Sequence, residues 1–167
     1  MKLISDKMAD ALDDLAGLCF VGNRIYDRAH TVLDVEFFMP ITSEIVHIHM
    51  AHQFPLLADK ITDYCSDRGY AQKYKATMED GSDYNSARDI FEVLLNYMID
   101  LEKQTCETIK IADEENDIQT KIFLGDFLKG LRPYTKMASS LLDFYIANKG
   151  NDASYDSSID DFLGIDD

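Results

Sequence analysis

The apolar residues of this chain recur at intervals of three and four, which is the spacing of one face of an α-helix. In the first stretch, for example, Met8, Leu12, Leu15 and Cys19 follow this rule. The chain contains four such stretches, at residues 7–33, 41–68, 88–112 and 118–148. The pattern therefore predicts four long amphipathic helices that bury their apolar faces against one another.

The segments between these stretches indicate how the helices are arranged. Residues 35–40 form a short connection that ends at Pro40, so the first two helices are predicted to be antiparallel neighbours. Residues 70–86 are polar and long, which is typical of a crossover that carries the chain back along a bundle. The sequence thus predicts an all-α fold, an up-down-down-up four-helix bundle with a long crossover between helices two and three.

The helix ends and the C-terminal segment carry further signals. Ser86 is predicted to cap the third helix, and Asp117, the last acid of a short turn, is predicted to cap the fourth. We expect residues 1–150 to form one domain. Residues 151–167 hold six aspartates and no basic residue, so we expect a mobile acidic tail whose apolar segment is suited to docking on a partner or on the bundle.

The net charge of the chain limits the kinds of partner that it can bind. The net charge is −15, from 31 acidic and 16 basic residues, and such a surface repels nucleic-acid phosphates and anionic membranes. No apolar run approaches the roughly 20 residues that span a bilayer. Cys19, Cys65 and Cys106 are odd in number and far apart, so we expect reduced thiols and a cytoplasmic protein.

The candidate chemistry lies at the hairpin of the first two helices. Three of the four histidines fall within residues 47–52, and Glu44 and His47 share a helical face because they are three residues apart. If the hairpin turns near Phe38, His30 and Asp34 lie opposite them. His30, Asp34, Glu44 and His47 would supply nitrogen and oxygen ligands suited to iron(II), manganese or zinc. The alternative is a set of solvated polar residues near a helix–helix turn.

Three segments resemble ferritin-like proteins. Residues 90–95 (IFEVLL), 112–117 (ADEEND) and 120–128 (TKIFLGDFL) resemble the second helical hairpin of that superfamily, above all of the Dps-type mini-ferritins. Residues 57–61 (LADKI), followed by Arg68 and Gly69, are similar to the end of their second helix.

This resemblance implies a homo-oligomeric cage, often of twelve subunits, that oxidises and stores Fe(II) and protects against peroxide. It also implies ligands from the first hairpin and from carboxylates later in the second helix, where Asp59 and Asp63 lie. The chain departs from the family pattern because it has no tryptophan, and because one alignment puts Pro55 where a carboxylate ligand is expected. No lysine-rich terminus is present, so DNA binding is not expected.

Two functions follow from these observations. The first is a Dps-like iron-binding protein with ferroxidase activity, whose metal ligands come from His30, Asp34, Glu44, His47, Asp59 and Asp63. The second is a ferritin-like scaffold with a degenerate metal site that acts through oligomerisation or partner binding. Whether the chain is an enzyme stays open between them.

Overall fold

The computed structural model describes residues 1–165, and their regular structure is helical throughout. The long helices are α1 (Asp6–Val35), α3 (Gln53–Asp67), α4 (Ala87–Glu114) and α5 (Ile118–Ala147). Before α3 lie a short helix, α2 (Pro40–Glu44), and a π-helical segment (Ile45–Ala51), which together with α3 form the second rod of the bundle. The predicted four-helix bundle is confirmed, and each predicted helix end lies within three residues of its observed position.

The starts of α1, α4 and α5 are set by side-chain caps. Ser5 accepts a hydrogen bond from the backbone N–H of Met8 at the start of α1. Ser86 caps α4, and Asp117 caps α5, in the same way. Each cap satisfies a backbone donor that has no partner inside the helix, which stabilises a helix by about 1 kcal/mol. Both caps predicted from the sequence are therefore confirmed.

The long crossover lies along the outside of α1. The guanidinium Nε of Arg24 donates to the hydroxyl of Thr77 at 2.7 Å, and Nε of Arg28 donates to the carbonyl of Ser82 at 3.0 Å. Asp13, buried in α1, accepts from the Tyr70 hydroxyl at 2.6 Å. These bonds replace regular secondary structure as the means of holding residues 70–86 in place.

The second rod is not the continuous α-helix that the apolar spacing predicts. Pro55 has no N–H, so it cannot donate to the carbonyl of Ala51 four residues earlier. The side-chain amide of Asn23 in α1 donates to that carbonyl instead, at 3.1 Å. Just before it the chain is wound more loosely, and the N–H of His52 bonds to the carbonyl of His47, five residues back, at 3.1 Å. A π-helical turn of this kind changes which side chains share a face.

The C-terminal segment is packed on the bundle as far as it is described, which differs from the mobile tail that its composition predicts. It forms α6 (Asp152–Asp156) and α7 (Ile159–Leu163), and the side chains of Tyr155 and Ile159 are fully buried. Asp156 accepts hydrogen bonds from the backbone N–H of Thr42 at 2.7 Å and from its hydroxyl at 2.6 Å. This aspartate caps α2, a role that a count of charges does not reveal. Residues 166–167 of the predicted tail lie outside the described residues.

Candidate functional site

The hairpin of the first two rods brings two of the predicted ligands together. The imidazole rings of His30 and His47 are stacked, with centroids 4.2 Å apart and planes 10° from parallel. His30 Nδ1 lies 2.6 Å from the hydroxyl oxygen of Ser43, and this contact fixes its ring. The prediction that α1 presents His30 to the start of the second rod therefore agrees with the structure.

A third histidine joins this pair through the π-helical turn. The ring of His52 meets that of His47 edge-on, with centroids 4.3 Å apart. The α-helical spacing predicts an interior or interface position for His52. Its side chain is exposed on the single chain, so the interior position is wrong, and the interface position stays a prediction. The reason is the looser winding, which places residues five apart on the same side of the rod. We call His30, His47 and His52 the histidine row.

The surroundings of His47, the middle ring of the histidine row, favour its neutral form. Partial burial lowers the pKa of His47 below its ordinary value, and positive charge on His30 or His52 would lower it further. Asp27 opposes these effects, with Oδ1 at 3.8 Å from Nε2 of His47. That carboxylate oxygen is buried and has no hydrogen-bond partner among the described residues.

The remaining predicted ligands do not join the row. The side chains of Asp34, Glu44, Asp59 and Asp63 are all exposed. Within residues 1–165, no three histidine, cysteine, aspartate or glutamate side chains converge in a way that could hold a metal ion. Stacked imidazoles present their faces to each other, and their nitrogen lone pairs do not point at one shared position. Metal binding by the six residues stays a prediction.

The interior of the bundle is the second place where a metal could be held. Ferritin-like di-iron proteins hold their metals there, on glutamates and histidines that project inward from facing helices. Of the described carboxylates, only Asp13 and Asp156 are buried, and each already accepts hydrogen bonds from its neighbours. No histidine of the described chain is buried. These residues do not fit a di-iron centre.

Aromatic rings occupy the middle of the bundle instead. Tyr26 of α1, Phe54 of α3 and Tyr97 of α4 pack together, with centroids 4.8 Å apart for Tyr26 and Phe54, 5.8 Å for Phe54 and Tyr97, and 6.5 Å for the two tyrosines. We call these three side chains the ring cluster. The hydroxyl of Tyr26 donates to the carbonyl of Leu94 at 2.8 Å, and that of Tyr97 donates to the carbonyl of Leu18.

Gly22 makes room for the ring cluster. A methyl group at this position would lie 2.6 Å from Cε1 of Phe54 and 2.7 Å from Cε1 of Tyr97, well inside van der Waals contact. In the sequence, Gly22 is only a gap in the apolar stripe of α1. Read together with aromatic residues on neighbouring helices, the gap was the one available signal for this packing.

The polar atoms of this interior keep their protons. Burial raises the pKa of the Tyr26 and Tyr97 hydroxyls far above their ordinary value, and it raises the pKa of the Cys19 thiol to about 12. Protonated hydroxyls and thiols are poor metal ligands, because the anionic forms are the ones that coordinate. The middle of the bundle is therefore an apolar core with two internal hydrogen bonds.

Among the helices of residues 1–165, none has the length and hydropathy required to cross a bilayer.

Comparisons with known proteins agree with this architecture. Solved structures with the same fold include an open-pore ferritin from the hyperthermophilic archaeon Archaeoglobus fulgidus, represented by two matching structures. One has a TM-score of 0.89 and 22% identity over 100% of both chains, and the other a TM-score of 0.88 and 21% identity over 98% of this chain and 99% of that one. An engineered closed form of that ferritin matches with a TM-score of 0.87 and 22% identity over 98% of each chain.

Sequence comparison gives the family. No curated protein matches the chain. The model of the ferritin-like domain matches residues 50–144, which is more than half of the 167 residues. The particular likeness to the Dps-type mini-ferritins stays a prediction. The chain belongs to the ferritin-like domain family.

Proposed function

We propose that this chain is a ferritin-like subunit that acts through assembly and surface contacts, without an iron-oxidising centre inside its own bundle. The ring cluster carries this proposal, since Tyr26, Phe54 and Tyr97 fill the space that an internal di-iron site would need. The proposal corresponds to the scaffold hypothesis drawn from the sequence.

Several substitutions would be needed to convert the ring cluster into a metal site. A di-iron centre needs four or more inward carboxylates with histidines. The packed rings leave no space for them, as the distances from a methyl group at Gly22 indicate. Moving an exposed carboxylate into the interior would bury a charge without a partner, which is energetically costly. Small movements of the exposed acids therefore do not supply the interior with metal ligands.

Assembly is the second part of the proposal. The relatives with this fold include ferritins described by an open pore and by a closed form. We propose that the present chain also forms a homo-oligomeric cage, for which twelve subunits is one candidate number. Several apolar side chains that a monomer would leave in water support this, including Met78, 85% exposed, and Tyr74, 62% exposed, on the crossover.

A second candidate function is Dps-like oxidation and storage of Fe(II), with protection against peroxide, at a site completed between subunits. The unpartnered oxygen of Asp27 beside the partly exposed His47 favours it, since such a group is suited to a ligand from outside the chain. In this candidate the metal, iron in the first place, is bound by residues drawn from His30, Asp34, Glu44, His47, Asp59 and Asp63.

The two candidates are separated by an aerobic Fe(II) oxidation assay on protein whose mass in solution has been measured by light scattering. The first candidate predicts a defined oligomer and an oxidation rate equal to that of buffer. Oxidation above the buffer rate that is lost in His30→Ala and His47→Ala would establish the second. His49→Ala is the matched control, because His49 is exposed on the same rod and makes no ring contact with the histidine row.

A further inference from the structure

The C-terminal segment, formed by α6 and α7, contacts the start of the second rod. Tyr155 anchors this segment, because its ring is fully buried and its hydroxyl donates to the carbonyl of Leu141 in α5 at 3.0 Å. The next residue, Asp156, is also buried, with 6% of its surface exposed. Its Oδ1 accepts from the backbone N–H of Thr42 at 2.7 Å and from the Thr42 hydroxyl at 2.6 Å, and its Oδ2 accepts from the N–H of Ile41 at 3.3 Å. The segment therefore holds the first turn of α2.

The first turn of α2 depends on this contact. N–H groups in the first turn of a helix have no partner inside the helix, and Met39, the residue before α2, has no side-chain oxygen that could accept from them. Asp156 supplies the acceptor from the other end of the chain, and its negative charge suits the positive end of the helix dipole. When Asp156 is displaced, we expect this turn to fray, including the bond from the N–H of Ser43 to the carbonyl of Met39 at 2.9 Å.

Ser43 connects this turn to the histidine row. Its hydroxyl donates to the carbonyl of His30 at 3.0 Å, and the same oxygen lies 2.6 Å from Nδ1 of His30. A hydroxyl has one proton, which the His30 carbonyl accepts here, so Nδ1 must supply the proton of the shorter contact. Nδ1 also lies 3.2 Å from the carbonyl oxygen of Ser43, which can only accept. The hydrogen bonds therefore assign the proton of the neutral imidazole to Nδ1, and Nε2 keeps its lone pair.

We propose that the C-terminal segment is a conformational clamp which, through Asp156 and Ser43, fixes the tautomer of His30 and the position of its ring in the histidine row. With the segment docked, Ser43 holds the proton on Nδ1, so Nε2 is the accepting nitrogen. With the segment displaced, α2 loses its cap and Ser43 releases Nδ1. His30 then returns to the tautomer mixture found in water, in which the proton is mainly on Nε2, and its stacking on His47 is no longer fixed. The clamp is independent of the proposed assembly function and requires no bound metal.

A purely stabilising role for Asp156 leads to a different expectation. In that case an Asp156 variant would unfold more easily, but each folded molecule would keep His30 in its native tautomer. The clamp predicts instead that the folded variant itself has an altered His30 ring. The measurement that separates the two roles is therefore the tautomer of His30 in the folded protein.

Ring nitrogen shifts of ¹⁵N-labelled histidine distinguish the two tautomers at a pH well above about 6.5, where imidazole is neutral. We expect wild-type His30 to show a protonated Nδ1 and an unprotonated Nε2. In Asp156→Ala both shifts should move toward those of free histidine. In Asp156→Asn they should stay nearer to the wild type, because the amide oxygen can still accept from Thr42. Asp161→Ala is the matched control, since Asp161 is exposed in the same segment.

Two results of this experiment would overturn the proposal. One is a folded Asp156→Ala variant whose His30 shifts equal those of the wild type. The other is a wild-type His30 that carries its proton on Nε2.

Native-state hydrogen exchange gives a second test that needs no variant. If Asp156 holds the first turn of α2, the Ser43 amide becomes exposed whenever the C-terminal segment leaves the bundle. Its protection should then not exceed that of the Tyr155 amide, which bonds to the carbonyl of Asn151 at 2.9 Å. A Ser43 amide that stays protected while the Tyr155 amide exchanges would contradict the clamp.

Discussion

Replacing Gly22 by alanine adds a single methyl group next to the ring cluster. That group would lie 2.6 Å from Cε1 and 2.7 Å from Cδ1 of Phe54, and 2.7 Å from Cε1 of Tyr97. Carbon atoms in contact are about 3.5–4.0 Å apart, so both rings must move by roughly 1 Å. Tyr97 cannot move freely, because its hydroxyl donates to the carbonyl of Leu18.

The free-energy change has two opposing parts. Overpacking costs about 1–3 kcal/mol, and weakening of the buried hydrogen bond adds about 1 kcal/mol. Alanine regains about 1 kcal/mol through its higher helix propensity. We therefore expect Gly22→Ala to lower the free energy of unfolding by about 1–3 kcal/mol.

Denaturant unfolding at a fixed protein concentration measures this change, which should appear as a lower midpoint with an unchanged slope. Gly17→Ala is the control, because Gly17 is in the same helix and a methyl group there would meet no heavy atom within 4 Å. That variant should gain up to about 1 kcal/mol. If Gly22→Ala is as stable as Gly17→Ala, the ring cluster is not packed as described, and the reasoning fails.

Three further predictions concern other parts of the chain. Asp156→Ala removes the cap of α2 and should cost about 1–3 kcal/mol in denaturant unfolding, while Asp161→Ala, an exposed change in the same segment, should be nearly neutral. Asn23→Ala leaves the carbonyl of Ala51 without a donor, so hydrogen exchange should become faster in the π-helical segment and the unfolding midpoint should fall. His47 has a lowered pKa in the folded chain, so the unfolded chain binds this proton more tightly and stability should decline as pH falls below about 6.5. His47→Gln should flatten that decline in pH-dependent unfolding, and an unaltered pH profile would contradict it.

The parts of the fold that depend on local sequence were predictable. The apolar spacing located the four rods, and Ser86 and Asp117 marked two helix starts, because both signals arise within a few residues of each other. The π-helical segment was not predictable in this way. It depends on Pro55 in one helix and on Asn23 in another, and nothing in the second rod alone shows that its missing hydrogen bond has a donor.

The site was predicted only in part, for a geometric reason. Symmetry about the hairpin turn placed His30 opposite His47, and the two rings are in contact. The same symmetry does not fix which way an exposed side chain points, and Asp34 and Glu44 lie on the solvent side. His52 joined the row through the π-helical winding, which the α-helical spacing cannot represent.

The roles of the C-terminal segment and of the ring cluster could not be predicted from local sequence either. Residues 151–167 contain six aspartates, which by composition alone indicate a solvated tail. Asp156 instead caps α2, because it lies against the start of that helix. Likewise, each ring of the cluster reads as an ordinary core residue in its own helix. The three-dimensional packing shows that the three rings meet at Gly22 in the middle of the bundle.

The proposed function requires that the interior of this bundle hold no iron-oxidising centre. Anomalous diffraction at the iron edge, from crystals soaked aerobically in Fe(II), tests it most directly because it locates iron and its ligands together. We predict no iron peak among α1, α3, α4 and α5 beside Tyr26, Phe54 and Tyr97. A peak at that position, at stoichiometric occupancy, would contradict the account.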